Sequence, residues 1–431
     1  MKKILLLFTF FLYCNLAFAH PMPNSVIALD IKSKSIHCEL QLPLKELQFA
    51  LPFDVTTNTN HLLNNHGQEL SKYILSHFGI QGKAGDKWDV QIEKMKVSKT
   101  EQETTGKYEE LLVQLIITPK NTNNLREFSI YYDVILHQVV THKALVIIRQ
   151  DWENGKIEED NTEIGVINVD INTLKTSPFN VNLAKGSNWN GFKSMVKLGM
   201  KHISEGTDHL LFLLVLLLSA PLISIDNNWI RSGGIKYALI RILKITTAFT
   251  IGHSITLIIG AFGLLHPNAK LVEVFIALSI LFTAIHAVKP IFPNKEIYVA
   301  SGFGLIHGLA FATILTNLNL DTNKLIVSLL GFNLGIEIMQ LFVIVLVMPW
   351  LLILSSYKIY KWIRVFGASF AGIVSIAWVI ERYTGKSNSI SGYLENTSTH
   401  GLWFVVGLAS LTIIYVLIRK VKKNTIHAKS C

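Results

Sequence analysis

The chain has 431 residues, 50% of them hydrophobic and only 16% charged, which excludes a wholly soluble protein, where charged residues come nearer a quarter. The net charge of +10 does not mark a nucleic-acid binder: many basic residues sit at the ends of apolar runs, where they set membrane topology, and no patch interleaves basic with aromatic residues. Three cysteines are too few and too scattered for a disulfide framework or a cysteine metal site.

In chain order, residues 1–19 read as a secretory signal peptide. Lys2 and Lys3 form the charged end, residues 4–12 the apolar stretch, and Ala17-Phe18-Ala19 a small-x-small cleavage site. The mature chain is expected to begin at His20, whose imidazole beside a free α-amine would make a terminal chelate for copper or nickel. Only Cys38 and Cys431 would then remain, on opposite sides of the membrane.

Residues 20–188 read as an extracytoplasmic domain, mainly β and β-sandwich-like. Short β-branched and aromatic runs at 25–31, 37–42, 88–97, 111–118, 128–136, 144–149 and 165–171 are bounded by polar turn-formers. The segment 60–78 is the one helical candidate, and 182–190 (NLAKGSNWN) reads as a linker. No nucleophile elbow, phosphate loop or zinc motif occurs in this region.

Residues 189–423 read as an all-α bundle of seven membrane helices, with 424–431 as a cytoplasmic tail. Apolar runs near 203–225, 238–263, 271–289, 298–317, 325–352, 362–381 and 401–419 each approach the ~20 residues that span a bilayer core. Pro349 marks the end of the fifth span or a kink. Seven crossings from an outside N-terminus put Arg231, Lys236, Arg241, Lys244, Lys289, Lys295, Lys358, Lys361, Arg364 and the basic tail inside. Only Lys270, Lys324, Arg382 and Lys386 fall in the outer loops. The charge asymmetry fits a bacterial inner membrane with the C-terminus cytoplasmic.

A charge at the centre of a membrane helix costs about 2.5–3.5 kcal/mol on insertion scales and needs a partner or a wet cavity. On a continuous first span, His202, Glu205, Asp208 and His209 share one face. His202 and His209 are then about 10.5 Å apart along the axis, too far for one ion, while Glu205 can chelate with Asp208 or His209. His253 lies near the middle of the second span. Glu273 and His286 stand at opposite ends of the third, about 19.5 Å apart. His307 is central in the fourth, beside a Gly304/Gly308 pair suited to close helix approach. Asn333, Glu337 and Gln340 form one polar stripe on the fifth. Imidazole with carboxylate suits nickel, cobalt or zinc, but proton relays use the same residue types, so composition leaves metal and proton both open.

The stretches GMKHISEGTDHLLFLLVLLL (199–218), TAFTIGHSITL (247–257), VEVFIALSI (272–280), FGLIHGLAFA (303–312) and FNLGIEIMQ (332–340) resemble the HupE/UreJ family. These are hydrogenase and urease accessory membrane proteins, and the likeness is to the larger branch with an N-terminal extracytoplasmic domain. The resemblance implies handling of a divalent metal, nickel or cobalt first and zinc next, with His202, Asp208, His209, His253, Glu273, His307 and Glu337 as ligands. His286, Glu205 and Asn333 are expected as exit or secondary groups.

Three functions compete on this reading. The first is a metal permease or metal-supply accessory, with capture at the outer end, a site at mid-depth and His286 on the exit side. The second is an intramembrane metal-dependent hydrolase, in which histidines activate a water. The third is an assembly or sensory protein that engages a periplasmic or membrane partner through residues 20–188. In each the lipid bilayer is a partner and nucleic acid is not.

Overall fold

The computed structural model describes residues 23–429 apart from 103–105, 121–123, 158–160, 266–267, 319 and 393–400. The expected signal peptide and the His20 chelate lie outside the described residues. The chain divides into two compact units between Ser187 and Asn188.

The first unit is mainly β. Its elements are β1 (Ser25–Ile31), β2 (Ile36–Pro43), α1 (Leu62–His77), β3 (Phe78–Gly82), β4 (Asp89–Gln102), β5 (Gly106–Thr118), β6 (Glu127–Tyr132), β7 (Ala144–Asp151), β8 (Thr162–Ile167), β9 (Val169–Asp170), β10 (Lys175–Thr176) and β11 (Phe179–Asn182). A six-stranded sheet runs β4-β5-β2-β1-β7-β8, a three-stranded sheet β11-β6-β3, and β9 pairs with β10. Alternate residues of β2 point inward, as the two-residue period of a strand requires. Leu40 and Val113 of the large sheet, Ile130 and Val181 of the small one, and Leu70 and Ile74 of α1 share one core. Two sheets therefore close over a common interior. The departure from a purely antiparallel sandwich is the parallel pairing of β1 with β7. Sequence patterning misses β3, which follows α1 without a break, and β11, which lies partly in the expected linker.

The second unit is helical: α2 (Asn188–Glu205), α3 (Thr207–Ser219), α4 (Gly234–Ala261), α5 (Ala269–Val288), α6 (Glu296–Asn317), α7 (Thr322–Ser355), α8 (Tyr360–Thr384) and α9 (Gly401–Lys429). A hairpin of β12 (Leu222–Ile225) and β13 (Asn228–Ser232) joins α3 to α4. Its turn residues Asp226 and Asn227 both have positive φ, the backbone that tight hairpin turns demand and that Asp and Asn tolerate. Exposed apolar side chains on the helices, such as Phe275 of α5, Leu330 of α7 and Ile373 of α8, suit lipid surroundings in which a helix satisfies its own backbone. The protein is an integral membrane protein.

The expected count of seven spans is not confirmed among the described residues. Five helices, α4, α5, α7, α8 and the 403–421 part of α9, are long and apolar enough to cross a membrane, and six if the bent pair α2–α3 counts as one. Helix α6 has 22 residues, of which Glu296–Phe311 is the apolar stretch among the described side chains. The first span differs because α2 and α3 meet at a 71° bend. The sequence expects Pro349 to end or kink its helix; α7 runs on through Pro349 to Ser355.

Glycines set two close helix crossings. The space a Cβ would take at Gly304 is filled by the Phe249 carbonyl, and at Gly308 by the His253 carbonyl, so α6 lies directly on α4. In the same way Gly199 of α2 meets the Phe332 carbonyl and Gly335 of α7 meets that of Val196. Small residues permit such backbone approach in a bilayer, where association rests on packing rather than on apolar burial. Both crossings flank the buried histidines.

Candidate metal centre

The bend between α2 and α3 makes the site. Gly206 is in an extended conformation, with φ −72° and ψ 91°, so the helix stops after Glu205 and restarts at Thr207. His202 then folds back toward His209, and their ring centroids are 4.6 Å apart. The expected separation along a straight helix is corrected by this break. The signal for it was in the sequence: Gly206-Thr207-Asp208 ahead of a leucine run has the composition of a helix start.

His253 of α4 completes the cluster. One ligand nitrogen from each of His202, His209 and His253 lies within 4.8 Å of the others. That spacing is within the reach of side-chain rotation for metal–nitrogen bonds of about 2.0–2.1 Å. His253 is fully buried and His209 nearly so. The walls are aromatic: Phe311 and Phe332 lie against His202, and Phe249 and Phe212 against His307.

The hydrogen bonds fix which nitrogens are available. Asp208 Oδ1 accepts the backbone N–H of His209 at 2.8 Å and faces His209 Nδ1 at 2.9 Å. A carboxylate on Nδ1 orients the ring and leaves Nε2 as the ligand atom, as in the outer shell of many metal sites. His209 Nε2 faces His307 Nδ1 at 3.2 Å, and His307 Nε2 faces Ser279 Oγ at 3.0 Å. Ser279 also donates to the Ile276 carbonyl at 2.7 Å, and one hydroxyl hydrogen cannot serve both contacts. With that hydrogen on Ile276, His307 donates to Ser279 from Nε2. In that tautomer the lone pairs of His307 Nδ1 and His209 Nε2 are both open to a cation; in the other, with the Ser279 hydrogen on His307 Nε2, His307 Nδ1–H donates to His209 Nε2 and the contacts close without one.

Three other atoms point the same way. His202 Nε2 and both nitrogens of His253 are buried without a hydrogen-bond partner. Buried polar atoms are nearly always paired, and an exception asks for a reason such as an ion. The donor set fits a divalent transition metal.

The remaining expected residues lie elsewhere. Glu205 is exposed, with Lys201 Nζ at 3.9 Å. Glu273 pairs with Arg382 at 3.4 Å. Glu337 accepts a hydrogen bond from Thr247 at 3.0 Å, and beyond it Thr250 donates to Gln340 at 3.1 Å. Asn333 is the exception: it donates to its own helix at Leu329, and its side chain lies against His253. His286 accepts from the backbone N–H of Ile291 and Phe292 through Nδ1, stacks on Phe292 and faces Glu296 at 3.5 Å. It latches the α5–α6 turn. The site thus gathers His202, Asp208, His209, His253 and His307, while Glu205, Glu273, His286 and Glu337 stand apart from it. Ser279 and the aromatic walls were not foreseen, because a serine or a phenylalanine in an apolar helix carries no signal of its own.

A family model described as HupE / UreJ protein matches residues 180–382, which holds every residue of this site. The chain carries a HupE/UreJ domain. The resemblance drawn from the five sequence stretches is the family the match gives, and it is a family of metal accessory membrane proteins. No curated protein and no solved structure matches the chain.

Proposed function

We propose that this HupE/UreJ protein binds a divalent transition metal, nickel or cobalt by preference and zinc next, at His202, His209 and His253, and passes it through the membrane to supply a metalloenzyme. The observation that carries the proposal is the convergence of three imidazoles from α2, α3 and α4, two of which, His202 and His253, have buried nitrogens left without a hydrogen-bond partner. Neutral imidazole suits borderline ions better than magnesium or calcium, which prefer oxygen. Asp208 holds the His209 tautomer and supplies charge that offsets part of the ion's cost of burial. His307 is the adjacent nitrogen that takes over as a ligand while the ion moves. The Glu337–Thr247 and Gln340–Thr250 pairs extend polar groups along the α4–α7 contact away from the histidines. In this reading they are the continuation of the route.

The test is flux. Proteoliposomes holding the purified protein and a trapped metal-sensitive dye should take up nickel. His253→Ala and His209→Ala should abolish uptake, and Glu273→Gln should leave most of it. Uptake by His253→Ala at the wild-type rate would sink the proposal.

The tightness of the cluster also favours a second reading, the intramembrane hydrolase. Three histidines with one coordination position open are the ligand set of a catalytic zinc. That reading expects zinc-dependent cleavage of a lipid or peptide bond by purified protein and no nickel flux. The two assays on the same preparation separate them.

A further inference from the structure

A second group of metal-ligating side chains stands in the first unit. The antiparallel pairing of β3 with β6 sets Phe78 opposite Tyr132. The residues next in register, His77 at the end of α1 and Asp133 just after β6, are therefore neighbours. The Asp133 N–H donates to the His77 carbonyl at 3.1 Å, and His77 Nδ1 meets Asp133 Oδ1 at 2.7 Å.

The loop after β6 brings in the third residue. The His137 N–H bonds back to the Asp133 carbonyl at 3.1 Å, and His137 Nδ1 faces the same oxygen at 2.9 Å. The His137 ring stacks on His77 with centroids 4.2 Å apart and planes within 10°. The turn is held under strain: Ile135 has φ 67°, a backbone conformation that a β-branched residue seldom adopts. It persists because Val134, Ile135 and Leu136 are buried in the unit's core and Tyr73 Oη accepts the Ile135 N–H. Strain of this kind is tolerated where surrounding structure fixes a functional geometry.

We propose that His77, Asp133 and His137 form a second divalent transition-metal site, open to solvent and separate from the histidine cluster of the helical unit. One ligand atom from each lies within 4.8 Å of the others. His137 is exposed and His77 and Asp133 are half-buried, so an ion reaches them from water. The ion takes the place of the proton between His77 Nδ1 and Asp133 Oδ1, and His137, whose Nδ1 is engaged by the Asp133 carbonyl, offers Nε2. Two imidazoles and one carboxylate suit nickel, cobalt, zinc or ferrous iron. With only three protein ligands the remaining positions stay with water, and the ion exchanges readily. That is the behaviour of a capture site rather than a structural one. Tyr73, which lies against both rings, closes one side.

Full-length protein without a polyhistidine tag, in detergent micelles at neutral pH, is titrated calorimetrically with nickel chloride. His137→Ala and Asp133→Asn should each lose one nickel equivalent per chain. His137 is exposed, so its truncation leaves the core intact; thermal melts of both variants verify folding. His253→Ala reports on the intramembrane cluster alone. If it keeps every equivalent while His137→Ala loses one, the intramembrane reading fails and this site stands. Wild-type stoichiometry and affinity in both His137→Ala and Asp133→Asn would overturn it.

Discussion

At the level of single residues, Asp208 is the most informative position in the helical unit. It touches His209 twice, through the backbone N–H and through Nδ1, and it is not among the convergent nitrogens. It acts by orienting a ligand. Outer groups of this kind change metal affinity by about 10–100-fold when removed, so Asp208→Asn should weaken nickel binding within that range without changing its stoichiometry, as read by titration. A different residue governs acid stability. His142 is buried, and Ser25 Oγ lies 2.8 Å from its Nε2; burial lowers its pKa to about 4. Above about pH 6.5 the ring is neutral in both the folded and unfolded chain and adds no pH dependence. As pH falls from there toward 4, the unfolded chain takes up a proton that the folded one refuses, and stability drops. Hydrogen exchange at the paired β1 and β7 amides, corrected for intrinsic rates, should show this loss, and His142→Gln should remove it.

At the level of elements, the break at Gly206 and the glycine crossings decide whether a site exists. A Cβ at Gly206 would press on the His202 carbonyl and crowd His209 Nδ1. Gly206→Ala should therefore lose metal binding while the protein still folds and elutes as wild type on gel filtration. Gly304→Leu drives a side chain into the Phe249 carbonyl, and overpacking of this sort costs about 1–3 kcal/mol or more; its thermal midpoint should fall. These elements also mark the limits of sequence reading. His253, His307 and the Gly304/Gly308 pair were legible because a polar or small residue in an apolar run is rare and its position along one helix is fixed. His202 was placed too far from His209 because the 3.6-residue period was carried through a glycine that ends it. In the first unit the strands announced themselves by alternation, whereas the meeting of His77, Asp133 and His137 depends on the β3–β6 register, and β3 itself was missed.

At the level of the whole molecule, the helices do not contribute equally. The site draws on α2, α3, α4 and α6, with α5 supplying Ser279 and α7 supplying Phe332. The last helix is different. The apolar part of α9 is only 6% buried, and its side chains Trp403, Phe404 and Val421 are exposed. Its main contacts among the described residues are with α7, and Tyr415 packs on Tyr357 in the turn after α7. The family match stops at 382, before α9 begins. A helix that faces lipid on nearly all sides contributes little packing, and one whose main contact is α7 lies a helix removed from the histidines. A chain ended after residue 392 should thus insert into membranes, melt a few degrees lower through the loss of the α7 contact, and bind nickel at the intramembrane cluster with unchanged stoichiometry. Titration of the truncated protein beside its His253→Ala derivative measures that directly. Loss of the intramembrane equivalent on truncation alone would mean that α9 holds α7, and through Gly335 and Gly199 holds α2, in the position that brings His202 to the site.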